Sequence, residues 1–257
     1  NGLYFDDKHN FLIPMTENNE IKGYAYVYKQ DRVSKDSNCF IMEVYDELLR
    51  DVGEKKIVMS TGFVFHSAVF NGANFVCKFV KDNEAIEYRV FDQQATQVFD
   101  TTLYVKVKKV NEETEWNFNP VPIRVINNQG MIDYVFVNDH GNTVPMIIFL
   151  SNDFNIWQYS YPHRNNPFSV QQIGADERFI INAVFEYSGK KNTPVIKTSV
   201  QVLSAGGVLI SEMPLNNNDS VTILPIKADI EKGSIKLVSE YTKRYARYSR
   251  VKFGICL

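Results

Sequence analysis

The sequence predicts an all-β protein of antiparallel β-sandwich architecture, and three observations carry that expectation. The first is alternation. Between Asp176 and Leu257, the side chains of Phe179, Ile181, Ala183, Phe185 and Tyr187 fall on one side of the chain, with Asn182 and Glu186 on the other. Period-two patterning of this kind places every second side chain on a buried face and marks a strand. The second is composition: 18 Phe and 14 Tyr in 257 residues favour pleated surfaces, on which flat rings pack well. The third is punctuation. Asn71-Gly72, Ser188-Gly189-Lys190 and Ala205-Gly206-Gly207 each interrupt an alternating run with residues suited to turns.

Taken in order, Lys22–Lys29 reads as a strand with Tyr24, Tyr26 and Tyr28 on one face and Ala25 and Val27 on the other. Gln30–Asn38 is polar and reads as a loop. Phe40–Val52 is the one helix candidate: Phe40, Val44 and Leu48 recur at i, i+4 and i+8, Ser37 or Asn38 can cap it, and Gly53 can end it. A strand over Cys39–Tyr45 is the alternative, so at most one short helix, near 40–52, is expected. Five short strands follow, near 57–60, 62–70, 73–80, 84–91 and 101–110. Asn71-Gly72 signals a two-residue type I′ hairpin, because both central positions need positive φ, and Asp82-Asn83 is a weaker turn. Asn111–Pro122 changes character, with three Glu, three Asn and two Pro and little apolar periodicity. Two β domains, 1–115 and 116–257, are expected on either side of that change. Strands resume near 123–126, 132–137, 144–150 and 155–161. Tyr161–Pro167 reads as a second connection, and 178–187, 196–202 and 208–210 as further strands.

Composition narrows the function classes. A formal net charge of −2 argues against a dedicated nucleic-acid binder, which is usually basic overall. The longest apolar run, Val144–Leu150, contains Pro145 and is too short for a bilayer span, so no membrane insertion is expected. Cys39, Cys77 and Cys256 lie far apart without CxxC spacing, which leaves no disulfide framework or zinc motif. The chain starts at Asn1, and nothing in Asn1–Lys8 has the basic start and apolar middle of a secretion signal.

No catalytic, metal or cofactor constellation stands out. The four histidines, His9, His66, His140 and His163, form no HExxH or HxH pair. His66 reads as a core or interface residue, and Cys77, between Val76 and Lys78, as a small core residue. Glu84, Glu87 and Asp92 fall at positions expected to face solvent. Two features point to contact surfaces instead. Tyr241–Lys252 interleaves Lys243, Arg244, Arg247, Arg250 and Lys252 with three tyrosines and no acid, a pattern that can follow a phosphate backbone or meet an acidic neighbour. Its spacing fits either a hairpin or a helical turn. Trp116 and Phe118 lie in the polar connection, where exposed aromatics either tuck back or anchor a partner. With Tyr24, Tyr26 and Tyr28, these residues are the interface candidates.

One phrase adds a resemblance. Val144–Ser160 runs from an apolar strand through Ser151-Asn152-Asp153 into Trp157-Gln158-Tyr159. It resembles a recurring phrase of tailed-bacteriophage structural proteins, and the pattern after it looks like the carboxy-terminal sandwich of the baseplate protein that attaches long tail fibres. Its counterparts here are Arg178–Tyr187, Ser188-Gly189-Lys190, Lys197–Val200, Gly233–Leu237 and Val251–Gly254. The resemblance implies a non-enzymatic virion structural protein of a phage tail, baseplate or fibre-attachment region, assembled in the host cytoplasm. It also implies a homo-oligomer, a trimer among the possibilities, whose partners are other virion structural proteins. The rival readings are a jelly-roll viral capsid or spike protein, a bacterial surface adhesin or carbohydrate-binding sandwich, and an enzyme with a site assembled from scattered residues.

Overall fold

The computed structural model describes residues 3–4, 10–17, 20–81, 84–105, 124–126, 130–139, 142–162, 164–187, 195–215, 221–231, 234–245 and 248–255. Among them there are strands and turns and no helix. The strands form five antiparallel sheets, each a meander in which sequence neighbours are also sheet neighbours. The first holds β1 (Leu3–Tyr4), β2 (Asn10–Glu17), β3 (Glu20–Ser34), β4 (Ser37–Asp46) and β5 (Asp51–Ser60). The second holds β6 (Phe63–Phe70), β7 (Phe75–Lys81), β8 (Ala85–Phe91) and β9 (Gln97–Leu103). The third holds β10 (Arg124–Ile126), β11 (Gly130–Asp139), β12 (Asn142–Ser151) and β13 (Ile156–Ser160). The fourth holds β14 (Phe168–Ala175), β15 (Phe179–Tyr187), β16 (Val195–Ser204) and β17 (Leu209–Pro214). The last holds β18 (Val221–Glu231), β19 (Ser234–Tyr245) and β20 (Tyr248–Ile255). Up-and-down meanders in succession are also the chain path of blade-type β architectures.

The chain divides into two compact units, the first containing the first two sheets and the second the last two. In the first unit two sheets pack face to face. Ile13, Met15, Ala25, Val27, Phe40, Met42 and Met59 of the first sheet meet Phe63, Phe65, Phe75, Cys77, Phe79 and Phe91 of the second. Phe65 and Phe79 meet edge to face at 5.3 Å, and Phe40 and Phe79 at 5.4 Å, a geometry worth roughly 0.5–1.5 kcal/mol per pair beyond the area buried. In the second unit Ile173, Ile181, Ala183, Phe185 and Val200 pack with Ala228, Leu224, Ile230 and Leu237. Gly174 permits that approach, since a Cβ there would lie 2.4 Å from the Ala228 carbonyl oxygen.

Several expectations are corrected. Residues 40–52 form no helix: β4 runs to Asp46 and β5 begins at Asp51. The i, i+4, i+8 recurrence arises because β4 is buried on both faces from Asn38 to Met42, which erases period two. Leu48, counted into the helical stripe, stands exposed in the intervening turn at 67%, and its neighbour Leu49 at 69%. That turn is organised by Asp46, whose Oδ1 accepts from the Leu48 and Arg50 amides at 2.9 Å each. Gln30–Asn38 is no loop either, because β3 continues to Ser34 past a register shift. Asn71-Gly72 opens a four-residue connection in place of a two-residue hairpin. The Asn71 side chain accepts from the Asn74 amide at 2.7 Å, and Gly72 takes φ +97°. Of the strand expected at 101–110, residues 101–103 belong to β9, which starts earlier at Gln97, and residues 106–110 lie outside the described residues. Glu87 does not face solvent: it is 9% exposed and receives Arg89 Nε at 2.6 Å. The turns expected at 82–83 and 188–190 and the connection at 111–122 lie outside the described residues.

Candidate functional site

The fourth sheet has two unlike faces. Ile181, Ala183, Phe185 and Val200 enter the apolar core. The strand alternation that puts them there turns Asn182 and Glu186 of β15, Lys197, Ser199 and Gln201 of β16, and Glu212 and Pro214 of β17 to the opposite face. Register confirms the grouping: Glu186 opposes Lys197, Asn182 opposes Gln201, Gln201 opposes Glu212, and Ser199 opposes Pro214. Directly opposed residues share a face. Several of these polar residues are deeply buried, Asn182 and Gln201 at 0% exposure and Glu186 at 7%.

The segment that follows Trp157 satisfies them. Asn182 Nδ2 donates to the Tyr161 hydroxyl at 3.2 Å, and Gln201 Nε2 to the Tyr159 hydroxyl at 3.3 Å. Arg164 donates through Nη1 to Glu186 Oε1 at 2.5 Å and through Nη2 to Glu212 Oε1 at 2.7 Å. Its guanidinium sits 5.2 Å from the Phe168 ring centroid. Ser199 Oγ donates to the same Glu212 oxygen at 2.6 Å. Burial pushes the Glu212 carboxyl up, but the bonds from Ser199 and Arg164 outweigh it and hold the group below its ordinary value. Arg164 is likewise held above its usual range, its two carboxylate partners overriding burial. An open cleft of about 650 Å³ lies here, lined by Arg164, Asn165, Asn166, Glu186, Lys197, Ser199 and Glu212 with Pro162 and Pro214 at its margins. Both carboxylates are committed to a guanidinium, so the arrangement suits binding better than proton transfer, which needs a group poised near neutrality.

A second polar cluster lies in the first unit. On the face of β7 and β8 away from the aromatic core, Lys78 and Tyr88 are cross-strand partners. Lys78 Nζ and the Tyr88 hydroxyl both reach Asp133 Oδ2 at 2.6 Å. All three residues are 6% exposed or less, and Asp133 Oδ1 has no hydrogen-bond partner among the described residues. His66 stands nearby with Nδ1 3.1 Å from Ser67 Oγ. Burial first, and then the charge of Lys78, lower its pKa to about 4. Burial pushes the Cys77 thiol up to about 12, as befits a core residue and not a nucleophile. Among the described residues no group of three or more metal-ligating side chains converges, and no helix is long and apolar enough to cross a membrane.

Of the interface candidates, Tyr24, Tyr26 and Tyr28 do share one half-buried face of β3, alternating with Ala25 and Val27 at 0% exposure. The Tyr28 and Tyr45 hydroxyls donate to the two oxygens of Glu43 at 2.9 and 2.7 Å. Both phenols are pushed up to about 12, Tyr28 chiefly by burial and Tyr45 chiefly by its bond to Glu43. Arg244 and Arg250 lie on the β19–β20 hairpin, where Arg244 opposes Ser249 and Arg250 opposes Lys243, so the basic stretch is a hairpin and not a helical turn. Trp116, Phe118 and Arg247 lie outside the described residues, as do His9, His140 and His163. Sequence reasoning missed Arg164, whose connection it treated as a linker, and the strand it expected at 208–210 is β17, which runs on to Pro214 as a sheet edge. That edge strand is exposed along its whole length, with Leu209 at 42% and Ile210 and Met213 at 53%.

Comparison with known proteins adds a family and little else. No curated protein matches the chain significantly. Among solved structures, cobalt-substituted apocarotenoid oxygenase from Synechocystis aligns with TM-score 0.42 and 9% identity over 91% of this chain and 56% of its own. A chimera of that oxygenase with RPE65 aligns with TM-score 0.42 and 8% identity over the same shares. The chain thus spans little more than half the length of these structures, at an identity and score too low to carry an argument about function. A model of a family of unknown function, DUF6770, matches residues 13–252, and the chain therefore belongs to the DUF6770 family.

Proposed function

We propose that this chain is a non-catalytic structural protein that works by assembly, with β17 as its principal contact surface and a second copy of itself as the first partner. The observation that carries the reading is the condition of that strand. β17 pairs with β16 on one side and closes its sheet on the other, and all six of its residues are exposed. Adjacent Val208 is 66% exposed, so three apolar residues in a row, Val208 to Ile210, stand exposed. Edge strands that stay monomeric are usually charged, short or covered; here only Glu212 and Pro214 blunt the edge.

The strand is also self-complementary. In an antiparallel pair of copies centred on Ser211, Leu209 opposes Met213 at both ends and Glu212 opposes Ile210, so no two carboxylates face each other. The reading without chemistry is supported by the state of the ionisable groups. Glu186 and Glu212 are held by Arg164, and His66 is buried beside a lysine. The virion setting is a further part of the proposal and rests on the likeness of Val144–Ser160 to tailed-phage structural proteins; self-association of an all-β chain is what such a setting demands.

Size-exclusion chromatography with light scattering tests the central claim. The chain is expected to elute as a dimer or larger closed oligomer, and Ile210→Lys combined with Met213→Lys is expected to give a monomer with an unchanged circular dichroism spectrum. A monomeric parent chain, or an oligomer indifferent to both lysines, would rule out β17 as the contact.

A further inference from the structure

We infer that the cleft on the polar face of the fourth sheet is a binding site for a neutral, polyhydroxylated ligand, a saccharide unit. Its charge is balanced: Arg164 and Lys197 are matched by Glu186 and Glu212. An anion such as phosphate would meet two carboxylates, and a cation would meet a guanidinium fixed between those carboxylates with a lysine beside it. An apolar ligand finds only Pro162 and Pro214 among the lining residues. What remains is a ligand that carries no charge and makes many hydrogen bonds.

The lining also holds hydrogen-bonding capacity that the described residues do not use. Glu186 and Glu212 accept from their protein partners through Oε1, and the second oxygen of each makes no hydrogen bond within the described residues. The side-chain amides of Asn165 and Asn166, both cleft-lining, have no partner there either, and each offers donors as well as an acceptor. Lys197 lies 3.7 Å from Glu186 Oε1 with its side chain 56% exposed, leaving its ammonium protons available. Deeper in the same face, Gln201 Oε1 is buried without a partner among the described residues, on the residue directly opposite Glu212. The opening thus offers both acceptors and donors. A sugar hydroxyl, which donates one hydrogen bond and accepts others, matches such a mixed lining, and bonds to the ionised groups are the strong ones.

The setting is preorganised. Arg164 is clamped by two carboxylates and Phe168, and Glu212 is fixed by Ser199 as well, so ordering costs little on binding. A volume of about 650 Å³ lies within the roughly 300–1,000 Å³ of small-molecule sites.

An array of neutral and anionic oligosaccharides, followed by calorimetric titration of the strongest neutral hit into the full chain, tests the site. Inorganic phosphate and calcium chloride serve as the charged probes. Saturable binding of a neutral oligosaccharide is expected, weakened about tenfold or more by Glu212→Gln, as befits loss of a charge-assisted hydrogen bond. Lys197→Ala should weaken it too, and because Lys197 is exposed this variant keeps its fold, verified by an unchanged melting temperature. The inference is overturned if no neutral oligosaccharide binds, if the affinity is the same in Lys197→Ala and Glu212→Gln as in the parent, or if phosphate or calcium competes for the cleft. Glu212 belongs both to the cleft and to β17, so light scattering accompanies each titration, and Lys197→Ala, on β16 and outside the β17 contact, separates failure of the site from failure of the contact.

Discussion

Trp157 and Gly207 are 50 residues apart in sequence and in contact in the fold: a Cβ built on Gly207 would lie 2.5 Å from Trp157 Cε3 and 2.6 Å from Cδ2. The indole Nε1 donates to the Ala205 carbonyl at 2.8 Å, so the ring is held against the turn between β16 and β17. Gly207 itself takes φ +79°, a conformation that L side chains rarely adopt.

The first prediction follows from this pair. Gly207→Ala combines a backbone penalty with a clash against a ring, and should destabilise the chain by about 1–3 kcal/mol. Trp157→Ala removes the ring but leaves the positive φ. In a double-mutant cycle read by urea unfolding, Gly207→Ala should cost less in the Trp157→Ala background, with a coupling of about 0.5–2 kcal/mol. Additive costs would mean that the ring and the turn do not constrain each other.

These two residues also show how much was legible in the sequence. Trp157 at a strand start and Ala205-Gly206-Gly207 as a break both stand out locally, but only the tertiary structure brings one onto the other. The all-β class was legible because β15 and β16 alternate cleanly. The helix expected over 40–52 was a false reading because two-face burial in β4 looks, over a short window, like a helical stripe. Arg164 was invisible for a different reason. A single charge among two prolines and two asparagines has the composition of a linker, and its partners, Glu186 and Glu212, lie 22 and 48 residues away. A usable signal did exist: Glu186 at a mid-strand position with apolar neighbours implies a buried charge, and a buried charge implies a counterion.

The second prediction concerns the buried pair in the first unit. With Lys78 at 4% and Asp133 at 0% exposure, removing one partner strands the other. Lys78→Met should cost about 3–5 kcal/mol, because the remaining Asp133 charge keeps only the Tyr88 bond. Joining Asp133→Leu to it removes the uncompensated charge, and the double variant should recover at least half of that loss by the same argument. Guanidinium unfolding at pH 7 is the measurement. A double variant less stable than Lys78→Met would show that the ion pair contributes net stability through interactions beyond mutual charge compensation.

The third prediction is the acid limb of stability. His66 has a folded-state pKa near 4 against an ordinary 6.5, lowered first by burial and then by Lys78, with Asp133 pulling the other way. Between these values the unfolded chain binds a proton that the folded chain excludes. Stability from this group is therefore complete above about pH 6.5 and is lost as pH falls toward 4, to a total of about 3 kcal/mol. His66→Gln, which keeps a polar side chain beside Ser67 but cannot charge, should flatten the decline in unfolding free energy between pH 7 and pH 5. Its stability at pH 7 should change less than its stability gain relative to the parent at pH 5. A parallel decline in both proteins over that interval would assign the acid sensitivity elsewhere, with the carboxylates held down by partners, Glu212 among them, as the next groups to protonate at still lower pH.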